Sequence, residues 1–162
     1  MGLDNGIRLF RYKGKDPPKN KLKVLKDYLN NRCFVKEGKQ KKKYKKNFKE
    51  IYIGGLKRFL YGHEGNELCY WRKCWNIRYC FISNIQENVD DYYYLITIDN
   101  LPNIIKDLEC LLNKNKWRKN GGSIWLYKEY ADALFIDILN LKMLYKYMSE
   151  NPDVYAYFYD SY

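Results

Sequence analysis

The chain has 162 residues, is 46% hydrophobic and 18% aromatic, and sets 30 Lys plus Arg against 19 Asp plus Glu, for a formal net charge of +11. That length fits one domain around one core. No apolar run approaches the roughly 18 residues a membrane span needs, and the basic excess points to a polyanionic partner, nucleic acid ahead of membrane.

Residues 6–12 (GIRLFRY) alternate Ile7, Leu9 and Arg11 on one face with Arg8, Phe10 and Tyr12 on the other, the pattern of a strand with two differently used faces. Asp16, Pro17 and Pro18 end it. Over residues 19–31, Leu22, Leu25 and Leu29 recur at helical spacing with Val24 and Tyr28 beside them, which predicts an amphipathic helix with Lys19, Lys23 and Lys26 outward. Residues 36–49 then carry eight lysines and one glutamate. Like charges at that density stay solvated until an anion neutralises them, so this segment reads as a flexible lysine-rich loop.

Residues 50–53 (EIYI) read as a brief strand stopped by Gly54 and Gly55. Residues 66–85 lack Gly and Pro; Tyr70, Cys74, Ile77 and Phe81 form one helical stripe and Trp71, Trp75, Arg78 and Ile82 a second, predicting a central, buried helix. Residues 92–98 are β-rich. Asp99 is the expected cap of a helix to about residue 113 whose Leu101, Ile104 and Leu108 face inward. Residues 124–149 predict a long helix burying Leu134, Ile138, Leu141, Tyr145 and Met148, and residues 154–159 (VYAYFY) a terminal strand free to pair with the first. The expected fold is a single α+β domain over residues 1–162, with three to four helices around a buried central helix and a small sheet pairing the N- and C-terminal strands.

Charge is concentrated at one end. Residues 1–67 hold 19 basic against 7 acidic side chains, while residues 68–162 hold 11 against 12. In the basic part, Lys39, Lys41, Lys42, Lys43, Lys45, Lys46 and Lys49, extended by Arg8, Arg11 and Arg58, are placed to neutralise phosphates, a mode that is salt-dependent and needs no base recognition. Tyr44 and Phe48, interleaved with the lysines, suit stacking on unpaired bases and favour RNA or single strands over duplex. A merely solubilising loop is the competing reading of the same residues. Among the other polar residues, Arg78 is expected to pair internally with Asp4, Asp99 or Asp160 and lock its helix to the terminal strands.

Catalytic and metal chemistry find less support. The five cysteines are odd in number and follow no leader-like segment, which suits free thiols in a reducing cytosol. Cys69 and Cys80, on one helix, would lie about 16 Å apart, too far to share an ion. His63 is the only histidine, and it stands without an elbow or oxyanion motif. Glu64, Glu67 and His63 are the residues a metal-dependent nuclease would draw on, with the Asp90, Asp91 pair as a further cation candidate. No cofactor is implied.

Three segments carry a resemblance: the opening MGLDNGI, the core CYWRKCWNIR at residues 69–78, and the ending YFYDSY at residues 157–162. Together they resemble a family of small uncharacterised bacteriophage and prophage proteins with an MGLDNGI start, a CYWRK-x-WN-x-R helix and an aromatic-Asp-Ser-aromatic C-terminus. The resemblance implies a phage-type setting in the bacterial host cytoplasm and brings no catalytic residues with it. With the charge pattern, it gives the expected function: a non-enzymatic binding protein acting on RNA or a host ribonucleoprotein. Its most concrete form is an anti-CRISPR-like inhibitor engaging a CRISPR effector and its guide RNA. A nucleic-acid-processing enzyme and a simple RNA- or DNA-binding accessory protein are the alternatives.

Overall fold

Strand β1 (Asp4–Tyr12) organises the fold, because its alternation leaves one set of side chains for each side of a sheet. In the computed structural model, which describes residues 4–16, 18–33, 47–51, 67–72, 74–114 and 128–161, the remaining elements follow as α1 (Lys21–Cys33), β2 (Phe48–Ile51), β3 (Cys69–Arg72), α2 (Trp75–Ile82), β4 (Asn88–Val89), β5 (Tyr93–Ile96), α3 (Leu101–Asn113), α4 (Lys128–Glu150) and β6 (Val154–Ser161). The fold is α+β, with a six-stranded antiparallel sheet ordered β2-β1-β6-β5-β4. Strand β3 lies end to end with β2, pairing the first half of β1 while β2 pairs the second. The terminal strands pair as expected, Gly6 opposite Tyr159 and Phe10 opposite Tyr155.

Each face of the sheet has its own core. Ile7 and Leu9 of β1, with Val154, Ala156 and Phe158 of β6, pack under α2, α3 and α4. Phe10, Tyr155 and Tyr157 point the other way, against Val24, Leu25, Tyr28 and Leu29 of α1. Phe10 stacks on Tyr28 at 3.9 Å between ring centroids, and Phe81 stacks on Phe158 at 4.5 Å. Several of the tyrosines are therefore core material, with hydroxyls at the margin, as where Tyr28 donates to Glu50 at 2.9 Å.

Helix starts show the local chemistry. Asn20 Oδ1 accepts from the amides of Leu22 and Lys23, satisfying two donors that the first turn of α1 leaves open. Asn100, and not Asp99, flanks α3: it accepts from the Thr97 amide, returns its own amide to Thr97 Oγ1, and donates from Nδ2 to the Leu95 carbonyl. An amide side chain serves there because it must donate as well as accept, which a carboxylate cannot do.

The segment expected as a central helix over residues 66–85 is divided. Residues 69–72 form β3, with Cys69 and Trp71 buried and Arg72 exposed, and only residues 75–82 are helical. The cause is pairing: β1 offers a free edge that β3 completes in register, Asn5 opposite Trp71 and Ile7 opposite Cys69. Helix α2 buries Ile77, Cys80 and Phe81 and leaves Trp75 and Tyr79 exposed. In α4, Leu134, Ile138, Leu141 and Met148 are buried as expected, whereas Tyr145 is exposed and its neighbour Leu144 takes the inward position.

Candidate nucleic-acid interface

Seven lysines between residues 13 and 49 are exposed: Lys13, Lys15, Lys19, Lys21, Lys23, Lys26 and Lys49. Helix α1 sets their layout, since burying Val24, Leu25, Tyr28 and Leu29 turns Lys23, Lys26 and Asn30 to the opposite side. The lysine-rich segment runs from the C-terminal end of α1 to β2, so its two anchors lie on α1 and at the sheet edge beside β1. Of the residues expected to contact nucleic acid, Lys39, Lys41, Lys42, Lys43, Tyr44, Lys45, Lys46 and Arg58 lie outside the described residues.

Four of the expected contacts are placed, and three differ from expectation. Phe48 is 4% exposed and packs edge-on against Phe10, Tyr12 and Tyr28, so it is core and not a stacking surface. It and Lys49 belong to β2, so the lysine-rich loop ends before them. Lys49 is exposed on that edge strand, opposite Arg11. Arg8 forms an ion pair with Glu67 at 2.9 Å and lies over the Tyr159 ring at 4.6 Å. Burial works against its charge, but the hydrogen bond to Glu67 and the fields of Tyr157, Glu67 and Tyr159 outweigh it and hold the guanidinium above its ordinary value. Arg11 pairs with Asp153 at 2.6 Å and donates to the Tyr147 hydroxyl at 2.9 Å. Both arginines join β1 to its surroundings through ion pairs within the fold.

The same geometry bears on the nuclease residues. Glu67 accepts from Arg8 and from the Tyr159 hydroxyl at 3.2 Å and is nearly buried, while His63 and Glu64 lie outside the described residues. Burial, then the negative charge of Glu67, pushes the Tyr159 phenol well above its ordinary value. Tyr70 donates to Asp4 at 2.9 Å and is pushed up to about 12, mainly by burial and then by that bond. Asp90 and Asp91 both have positive φ, 54° and 55°, and close the β4–β5 hairpin, with Asn88 Nδ2 donating to Asp91 at 2.7 Å. No group of His, Cys, Asp and Glu suited to a metal ion occurs among the described residues. The 16 Å separation expected for Cys69 and Cys80 does not apply, because Cys69 is on β3 and only Cys80 is on α2.

A buried polar cluster lies where β1, β6 and α2 meet. Arg78 Nε donates to Asp160 Oδ2 at 2.7 Å, and Asn5 Nδ2 donates to Asp160 Oδ1. Of the three partners foreseen for Arg78, the structure selects Asp160. Trp71 Nε1 donates to Asp137 Oδ2 at 2.8 Å, tying β3 to α4, with Asn140 buried one turn along. Asn5, Asp137 and Asn140 were not foreseen as a group; the available signal was a polar residue interrupting an apolar stripe, as Asp137 and Asn140 do between Leu134 and Leu141. Through Asn5, Arg78 and Asp160 the polar contacts cross-link β1, α2 and β6. No helix among the described residues is long and apolar enough to cross a membrane. No family model matches the chain, and neither the curated proteins nor the solved structures contain a significant match to it.

Proposed function

We propose that the protein is a non-enzymatic RNA-binding protein whose contact surface is the exposed side of α1 together with the lysine-rich segment that follows it. The observation that carries the reading is the set of seven exposed lysines from Lys13 to Lys49, which in sequence flank seven further lysines at residues 34–46, against three acidic residues, Asp16, Asp27 and Glu37, over residues 13–49. A surface of that kind gains affinity by releasing counterions from phosphates, with a salt dependence of about −0.7 per neutralised phosphate on single strands.

The phage-type resemblance gives this reading its setting: a protein made in a bacterial host that acts on RNA or a ribonucleoprotein there. Its most concrete form is inhibition of an RNA-guided nuclease through the guide or the channel that holds it, an anti-CRISPR-like role. Recovery of the tagged protein from bacterial lysate, with and without ribonuclease, tests the proposal. Bound RNA that high salt releases supports it. Recovery with no nucleic acid, or with cleavage of added RNA that requires Mg²⁺ and is lost in Glu67→Gln, contradicts it.

A further inference from the structure

The lysines of the proposed surface and the arginines of the fold are used differently. None of the seven exposed lysines from Lys13 to Lys49 forms an ion pair among the described residues. Every arginine whose side chain is described faces a carboxylate: Arg8 meets Glu67, Arg11 meets Asp153, Arg78 meets Asp160, and Arg72 lies 4.0 Å from Asp4. A guanidinium presents a planar fork that can read a base edge, whereas an ammonium is a compact point charge. The cations left for a ligand therefore sense negative charge and not base identity.

The same surface is poor in rings for stacking. Tyr28 and Phe48, the two aromatic side chains described between residues 13 and 49, are 1% and 4% exposed. The rings left in solvent stand elsewhere. Trp75 and Tyr79 on α2 and Phe135 and Tyr145 on α4 belong to helices packed on the other face of the sheet from α1, and Tyr92 follows Asp90 and Asp91 in the β4–β5 hairpin, where carboxylates repel phosphate. The lysines, by contrast, are firmly mounted. Lys23 and Lys26 share the outer side of α1, and the Lys13 amide donates to the Asn47 carbonyl at 2.7 Å, which sets the lysines after β1 beside the start of β2.

These features favour a double helix. Single-strand binders draw much of their affinity from bases stacked on aromatic side chains, whereas a duplex has stacked its bases already and turns outward a dense row of phosphates. Each phosphate contact contributes about 0.9 to the salt exponent on a duplex and about 0.7 on a single strand. At ~0.1 M salt that difference of about 0.2 is worth about 1.6-fold per contact, so five contacts favour the duplex about tenfold.

We propose that the α1 surface selects RNA by charge density, taking duplex regions ahead of single strands without reading base sequence. This inference rests on the RNA-binding reading and reverses the single-strand preference expected from Tyr44 and Phe48, since Phe48 is core.

The test is fluorescence anisotropy of two labelled RNA duplexes of unrelated sequence and of an oligouridylate with the same number of phosphates, titrated with the full chain and with Lys23→Ser/Lys26→Ser. The parent is expected to bind both duplexes alike and about tenfold more tightly than oligouridylate at ~0.1 M salt, with a salt exponent steeper by about 0.2 per contact. Removing two contacts weakens all three complexes and narrows the duplex preference by about 2.5-fold; both lysines are exposed, so the variant is expected to melt like the parent. A parent that binds oligouridylate as tightly as the duplexes, or more tightly, overturns selection by charge density and leaves the RNA-binding reading standing. So does a tenfold difference between the two duplexes, which would mean that bases are read. A duplex preference that Lys23→Ser/Lys26→Ser leaves unchanged overturns its assignment to α1. A parent that binds none of the three overturns both readings.

Discussion

Replacing Arg78 with Met tests whether the buried cluster is what fixes α2 to the terminal strands. The parent pair is short, 2.7 Å, with the Asp160 side chain fully buried and the Arg78 side chain 13% exposed. Arg78→Met keeps much of the aliphatic stem and removes the charge, leaving a carboxylate in the interior. Stranding one partner of a buried ion pair costs about 3–5 kcal/mol. Asn5 still donates to Asp160 Oδ1, and a hydrogen bond to a charged acceptor is worth about 1.5–3 kcal/mol. The expected loss therefore sits near the lower bound, at about 3 kcal/mol. For a chain of this size that is a fall of roughly 6–12 °C in Tm. Urea unfolding followed by circular dichroism reads it, with an unchanged m value showing that the native and denatured states keep their extents. Asp160→Asn in the Arg78→Met background removes the stranded charge and restores part of the loss, so the cycle yields a coupling of about 2 kcal/mol. A single Arg78→Met variant within about 0.5 kcal/mol of the parent, or a cycle additive within that margin, would refute the assignment of the pair as a lock.

Three further outcomes follow from the packing and the titrating groups. Phe48→Ala removes a ring wedged among Phe10, Tyr12 and Tyr28 and costs about 3–5 kcal/mol, while Lys49→Ala next to it stays within about 0.5 kcal/mol; equal effects in urea unfolding would return Phe48 to the surface. Gly6→Ala would bring a Cβ within 2.6 Å of the Tyr159 ring, which Glu67 and Arg8 hold in place, so stability falls by about 1–3 kcal/mol; a neutral result would show that Tyr159 moves freely. Burial, then the Asp107 charge, pushes the Cys80 thiol up to about 11, so folding favours its protonated form. The stabilisation is complete below the unfolded value of 9.0 and is lost as pH rises towards 11. Cys80→Ala should flatten that alkaline decline in chemical unfolding, and an unchanged slope would place the titration elsewhere.

What the sequence disclosed depended on how local the governing interaction is. The terminal strands were legible because Ile7 and Leu9 against Arg8 and Phe10, and Ala156 and Phe158 against Tyr155 and Tyr157, alternate within one short segment. The apolar spacing of α1 and of α4 was equally direct, and Tyr145 was assigned inward only because tyrosine fits either side of a boundary. Strand β3 was missed because Tyr70, Cys74, Ile77 and Phe81 do fall on a helical stripe, and the open edge of β1 that overrides it lies more than sixty residues away. The same distance hid the fate of the arginines. Arg8 meets Glu67 and Arg11 meets Asp153, so two cations counted toward a polyanion surface are neutralised at home. Phe48 looked like part of the charged run, and its place in β2 is set by pairing opposite Tyr12, a contact that the four residues FKEI do not announce by alternation. Lys23 and Lys26, outward on a helix with an apolar opposite face, were readable from spacing alone and are exposed; Lys19, expected on the same helix, is exposed just before it.

The measurement that bears most directly on the central claim is the salt dependence of oligouridylate binding by the parent chain, by Lys23→Ser/Lys26→Ser, and by a variant with Lys41, Lys42, Lys43, Lys45 and Lys46 changed to Ser. The account predicts a steep, linear fall of log affinity with log salt between about 50 and 200 mM, shallower by about 0.7 for each phosphate-contacting lysine removed. Weaker binding with a reduced slope in both variants is the expected result. A slope that both variants leave unchanged would show that the lysine surface does not hold RNA.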